Sequence, residues 1–173
     1  MLKRFAVYSV VLLLVFGAVF MVWKHYTPEI IEVTPEEITY NVSPVYNHNT
    51  IDSYIKNNPD GVVVFFYNSY DTNSIYVFNH LLTTIAETYG MRSLPNIVFC
   101  DLTNADSNTL LSSKNHWGFY QYPAFSNIRY EDNHMVITSS LEWSISNIMT
   151  RSSVENWLIN NGVLPQPESE SGS

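Results

Sequence analysis

The chain has 173 residues, with 8 Lys and Arg against 16 Asp and Glu, giving a formal net charge of -8. Hydrophobic residues make up 46%, which excludes a wholly disordered chain, and the acidic balance excludes DNA or RNA as the main ligand. The cysteine count of 1 excludes an intramolecular disulfide, a cysteine zinc site and a CxxC redox pair.

Residues 1–4 are a short, basic N-terminus. Phe5–Trp23 then reads FAVYSVVLLLVFGAVFMVW, nineteen residues without charge or proline. At about 1.5 Å per residue this run spans roughly 28 Å, close to the hydrocarbon thickness of a bilayer. A cleaved signal peptide has a shorter apolar core, of about 7–15 residues, and ends on small residues. Phe20, Met21, Val22 and Trp23 are bulky, so the reading is an uncleaved transmembrane helix. Lys3 and Arg4 precede it, and Glu29, Glu32, Glu36 and Glu37 follow Lys24. That asymmetry places the N-terminus in the cytoplasm and the remainder outside, with Trp23 and Tyr26 at the outer interface. Without Lys3, Arg4 and Lys24 the rest of the chain keeps 5 bases and all 16 acids, a net -11. An anionic membrane surface repels such a domain, so the anchor alone has to hold it there.

Residues 24–37 carry prolines and glutamates without a helical period and form a stalk. Ile38–Val42 is expected as a short strand. Asn49 or Thr50 caps a helix whose inner face holds Ile51, Tyr54 and Ile55, ended by Asn58-Pro59-Asp60-Gly61. Gly61–Tyr67 is an apolar run of strand-forming residues, the pattern of a strand covered on both faces. Asn68–Asn73 is a loop. The next helix puts Ile75, Phe78, Leu81, Leu82, Ile85 and Tyr89 on one stripe and stops at Gly90. Asn96–Leu102 is a second buried strand, and Asn108–Lys114 a short helix. Strands at Ala124–Tyr130 and Met135–Ser139 are joined by Glu131-Asp132-Asn133. The last helix opens on a capping box, Ser152-x-x-Glu155, turns Val154, Trp157 and Leu158 inward, and ends at Gly162. Residues 165–173 (PQPESESGS) are a disordered tail.

The order β α β α β α β β α requires parallel crossovers followed by a hairpin, hence an α/β fold. It resembles the thioredoxin fold over residues 38–164. The strand Val62–Phe66 leads through a loop into a long helix, where thioredoxins carry their redox motif. Trp117-Gly118-Phe119-Tyr120-Gln121-Tyr122-Pro123-Ala124 is similar to the family's aromatic-Gly-x-x-x-x-Pro-Thr segment, whose proline is cis. The resemblance implies a central mixed sheet flanked by helices. It also implies a pseudo-active-site loop at Tyr70, Asp71, Thr72, Asn73 and Ser74, where Asp71 and Ser74 occupy the two cysteine positions. A peptide-binding loop follows at Tyr120, Gln121, Tyr122 and Pro123. In the family these loops adjoin, and the residue before the cis proline pairs through its backbone with an extended segment. Tyr70, Tyr120 and Tyr122 then rim a groove, with Phe119 and Tyr67 in the core.

Dithiol exchange needs an attacking thiolate and a resolving thiol, and neither stands at this loop. Asp71 reads as a helix N-cap, its alternative being a general base or metal ligand. Cys100 reads as a buried apolar filler, its alternative a thiol that works with a partner chain. Ser74 or Tyr70 are the candidates for a hydroxyl chemistry of the glutathione transferase kind. His25, His48, His80, His116 and His134 show no ligand spacing, so neither metal nor cofactor is expected. The expected function is a membrane-anchored, extracytoplasmic, redox-inactive domain that binds a protein or an extended peptide as an assembly factor. The alternative is an oxidoreductase-related enzyme using Cys100 with an intermolecular thiol. Asn41-Val42-Ser43 is a glycosylation sequon. Pro44 directly after it and the lack of disulfides favour a bacterial envelope.

Overall fold

The structure, a computed structural model, describes residues 44–166. The expected anchor at Phe5–Trp23, the stalk at 24–37 and the strand at Ile38–Val42 lie outside the described residues, as do the last seven residues of the tail. Among the described residues no helix is long and apolar enough to cross a membrane.

Five strands form one mixed sheet: β1 (Val45–Asn47), β2 (Val62–Tyr67), β3 (Val98–Asp101), β4 (Ala124–Glu131) and β5 (His134–Glu142), in the order β1-β3-β2-β4-β5. β1 and β2 each run parallel to β3, while β4 lies antiparallel to β2 and β5 antiparallel to β4. With its flanking helices this is a thioredoxin-like α/β fold. β1 is not among the strands expected from the sequence, being a three-residue edge strand too short and too exposed to leave an alternating pattern.

β2 shows why the sheet is built around it. All six of its residues, VVVFFY, are buried. Val63, Phe65 and Tyr67 point to one face, Val62, Val64 and Phe66 to the other, as the two-residue period of a strand requires. The first face packs under a helical run at residues 72–88, α2, and under α4 (Arg151–Asn160). The second packs under α1 (Ile51–Lys56), through Ile51 and Ile55, and α3 (Ser107–Trp117), through Trp117. Helices on both faces leave no polar side for β2, which explains a run without alternation.

α2 occupies residues 72–88 and is not uniform. α-Helical turns at Thr72–Tyr76 and Thr83–Thr88 flank a π-helical segment at Val77–Leu82. The expected apolar stripe is present at Ile75, Phe78, Leu81, Leu82 and Ile85, and Val77 joins it. The helix ends at Gly90, whose φ of +66 is the left-handed stop that glycine adopts without penalty.

Two other ends differ from the pattern in the sequence. α3 continues three residues past Lys114 to Trp117, so the aromatic start of the Trp117–Ala124 segment belongs to a helix. The capping box of α4 is built by Thr150 and Ser153, two residues upstream of Ser152 and Glu155. Glu155 instead reaches across to accept a hydrogen bond from the Tyr89 hydroxyl at 3.1 Å.

Candidate functional site

The chain leaves β2 at Tyr67 and turns through Asn68, Ser69 and Tyr70 before α2 begins. The first turn of α2 has backbone N–H groups without intrahelical partners. Asp71 supplies one acceptor: its Oδ2 takes the N–H of Ser74 at 2.7 Å and the Ser74 hydroxyl at 2.9 Å. The same hydroxyl accepts the backbone N–H of Asn68 at 3.2 Å. Ser74 is fully buried with its oxygen committed on both sides, so it presents no free hydroxyl to solvent. A hydroxyl chemistry centred on Ser74 therefore lacks an accessible nucleophile.

The second loop arrives from the other side of the molecule. Gly118, with φ of +94, ends α3 and redirects the chain. A Cβ there lies 2.7 Å from Cγ2 of Ile137, so only glycine fits. Phe119 drops into the core, where its ring stands 4.8 Å from that of Phe66. Tyr67 is likewise a core residue. Tyr120 and Gln121 follow with their N–H groups directed at one carboxylate oxygen, Oε2 of Glu142 at the end of β5. The Tyr122–Pro123 bond is cis. The carbonyl of Pro123 accepts the N–H of Trp143 at 3.0 Å, which seats the proline beside the end of β5.

Asn68 joins the two loops, its side-chain nitrogen donating to the Tyr122 hydroxyl at 3.3 Å. An open cleft of about 320 Å³ lies between them. Asp71 and Asn73 line it from the first loop, Tyr120, Gln121 and Tyr122 from the second. Leu110 from α3, Phe119 and Trp143 complete it. Thr72, Ser74 and Tyr70 are not part of the lining. Tyr70 stands 84% exposed immediately before Asp71. Among the described residues neither the N–H nor the C=O of Tyr122 has a hydrogen-bond partner within the chain.

Trp143 and Leu110 were not visible as site residues in the sequence. Trp143 lies 20 residues past Pro123, on the far strand of the hairpin, and reaches the cleft only because β5 returns antiparallel beside β4. The strand expected at Met135–Ser139 runs on to Glu142, and this extension is what brings Trp143 beside the cleft.

Cys100 is not part of the cleft lining. It lies in β3, beside Phe66 of β2, and is fully buried. Burial pushes its thiol far above the usual range, and the charges of Asp101 and Asp52 add to that. Among the described residues no three metal-capable side chains come together.

No family model matches the chain, and no curated protein is similar to it in sequence. Among solved structures it is similar to a thioredoxin of Plasmodium falciparum, at 10% identity over 65% of this chain and 80% of that one, with a TM-score of 0.41. It is also similar to a Trichomonas vaginalis thioredoxin, at 15% identity over 69% of this chain and 98% of that one, with a TM-score of 0.42. A redox protein from Chlamydomonas reinhardtii is similar at 20% identity and a TM-score of 0.45, with 75% of this chain covering 40% of that one.

Proposed function

We propose that this chain is a membrane-anchored, extracytoplasmic domain that captures an extended segment of a protein partner and carries out no dithiol exchange. One observation carries the reading. Among the described residues the N–H and the C=O of Tyr122 are both unpaired, at the edge of a cleft lined by aromatic side chains. Those are the two groups an added strand uses, and aromatic walls supply contact area at little conformational cost. The anchor rests on the nineteen uncharged residues at Phe5–Trp23, and the outward orientation on the basic residues before them. The lack of exchange chemistry is supported by the single cysteine and its burial.

The test is photocrosslinking in cells from a benzophenone residue placed at Tyr70 or Tyr122, with Asn133 at the hairpin tip as control. The expected result is one discrete membrane-protein adduct from the first two positions and none from the third. Adducts of equal yield from all three positions, or none from Tyr70 and Tyr122, overturn the reading.

A further inference from the structure

We infer that the cleft selects a segment whose central side chain is cationic, with Asp71 as the residue that sets this specificity. The inference rests on the peptide-capture reading and adds the chemistry of the captured side chain.

Three observations lead to it. First, the cleft has negative charge to spare. Oδ2 of Asp71 takes both hydrogen bonds from Ser74, and Oδ1 has no partner among the described residues. Second, the lining contains no Lys, Arg or His to neutralise that oxygen. The Lys114 ammonium at the rim is engaged over the Tyr120 ring, 4.7 Å from its centroid, and with the Gly118 carbonyl. Third, the aromatic side chains Tyr122 and Trp143 also line the cleft, and aromatic rings attract a cation through their quadrupoles, as the Tyr120 ring already does for Lys114. A carboxylate beside aromatic faces fits Arg or Lys, and it rejects Glu by like-charge repulsion and desolvation.

The Tyr76 ring meets Trp143 edge-on and adds apolar surface beside the cleft. The preferred segment therefore carries a basic residue at its centre, and an acidic residue there is disfavoured.

The experiment uses the full chain in detergent micelles and three fluorescein-labelled nonapeptides of one Val/Ser/Tyr sequence, with Arg, norleucine or Glu at the centre. The Arg peptide is expected to bind about tenfold tighter than the norleucine peptide, with the Glu peptide weakest, because a charge-assisted hydrogen bond contributes at that scale. The preference shrinks as salt is raised. Asp71→Asn and Asp71→Ser both keep a capping side chain, so the helix start survives, and both should bring the Arg-to-norleucine ratio to about one. Equal binding of all three peptides overturns the charge selectivity while leaving peptide capture standing. A preference that survives both substitutions assigns it elsewhere and removes Asp71 from the role. Binding of none of the three overturns both readings together.

Discussion

Nε2 of His116, near the end of α3, stands 2.6 Å from a carboxylate oxygen of Asp52 in α1, tying together the two helices on one face of the sheet. The second carboxylate oxygen accepts the Trp117 indole N–H at 3.0 Å. The hydrogen bond to Asp52 raises the His116 pKa against the opposing effect of burial. Burial works against ionisation of Asp52, but the bonds from His116 and Trp117, with the charges of His116 and Lys56, outweigh it and hold the carboxyl low. The contribution from His116 is complete below its unfolded pKa of 6.5 and is lost as pH rises through the raised folded value. The contribution from Asp52 is present above 3.8 and lost as pH falls through the lowered folded value. The pair therefore stabilises most between these two unfolded values. His116→Ala should cost more at pH 5.5 than at pH 8.5. The difference is about 0.5 kcal/mol, because the two side chains are 43% and 31% exposed and screened by solvent. Urea titrations at the two pH values measure it, and an equal cost at both removes the ion pair.

Asp71 has a structural task separable from binding. Asp71→Ala removes the acceptor for both Ser74 groups and should lower stability by about 0.5–2 kcal/mol. Asp71→Asn should cost only a few tenths, since its amide oxygen caps in the same way. Chemical denaturation of the three proteins tests this, and equal stability of the alanine and asparagine variants contradicts the cap.

Much of this architecture is legible in local pattern. The continuous run at Val62–Tyr67 and the apolar stripe from Ile75 to Ile85 follow from side-chain period, while the loop from Gly118 to Pro123 is readable only through the resemblance of its Gly-to-Pro spacing to a family segment. The π segment at Val77–Leu82 is not legible, because an apolar stripe reports which face is buried and not which carbonyl each N–H meets. The π register buries Val77, Phe78, Leu81 and Leu82, a set that includes the stripe residues Phe78, Leu81 and Leu82 expected of an α-helix. The cap of α4 moved from Ser152 to Thr150 because Ser153 satisfies the Thr150 N–H as well as a glutamate does, so two overlapping cap patterns competed. Of the cleft, the family resemblance points to the two loops, of which Asp71, Asn73, Tyr120, Gln121 and Tyr122 line it. Those brought in by tertiary return, Leu110 and Trp143, were not readable, since no local spacing encodes which strand end a hairpin delivers.

Gly118 lets the chain pass from α3 to the cleft. Gly118→Ala meets both a positive φ and the Ile137 side chain, and should destabilise by about 1–3 kcal/mol. In the double variant with Ile137→Ala the steric part is relieved and the conformational part stays, so the two changes should couple favourably. A thermodynamic cycle from urea titrations reads the coupling, and simple additivity shows that the contact carries none of the cost.

Cys100 should be chemically silent in the folded protein. It is fully buried in β3 with its thiol pushed far upward, so the thiolate that reacts is both scarce and enclosed. Iodoacetamide at pH 8 should leave the native chain unmodified for as long as the fold persists and label it completely in urea. Rapid native labelling contradicts the burial argument and revives the intermolecular thiol.

Glu142 is the residue on which the second loop depends. Its Oε2 accepts the N–H groups of Tyr120 and Gln121, two successive amides that no strand or helix ladder takes up. Without the carboxylate these amides must turn to water, and the segment leading to Tyr122 loses its fixed path. Glu142→Ala should therefore raise amide hydrogen exchange at Tyr120 and Gln121 well above its effect elsewhere in β4. The loss of global stability should stay within about 1–3 kcal/mol, the range for hydrogen bonds to a charged acceptor. Glu142→Gln keeps one oxygen for the same two bonds and should recover most of the protection. If exchange at Tyr120 and Gln121 is unchanged in Glu142→Ala, the path of the loop is set by the packing of Phe119 and Pro123 alone.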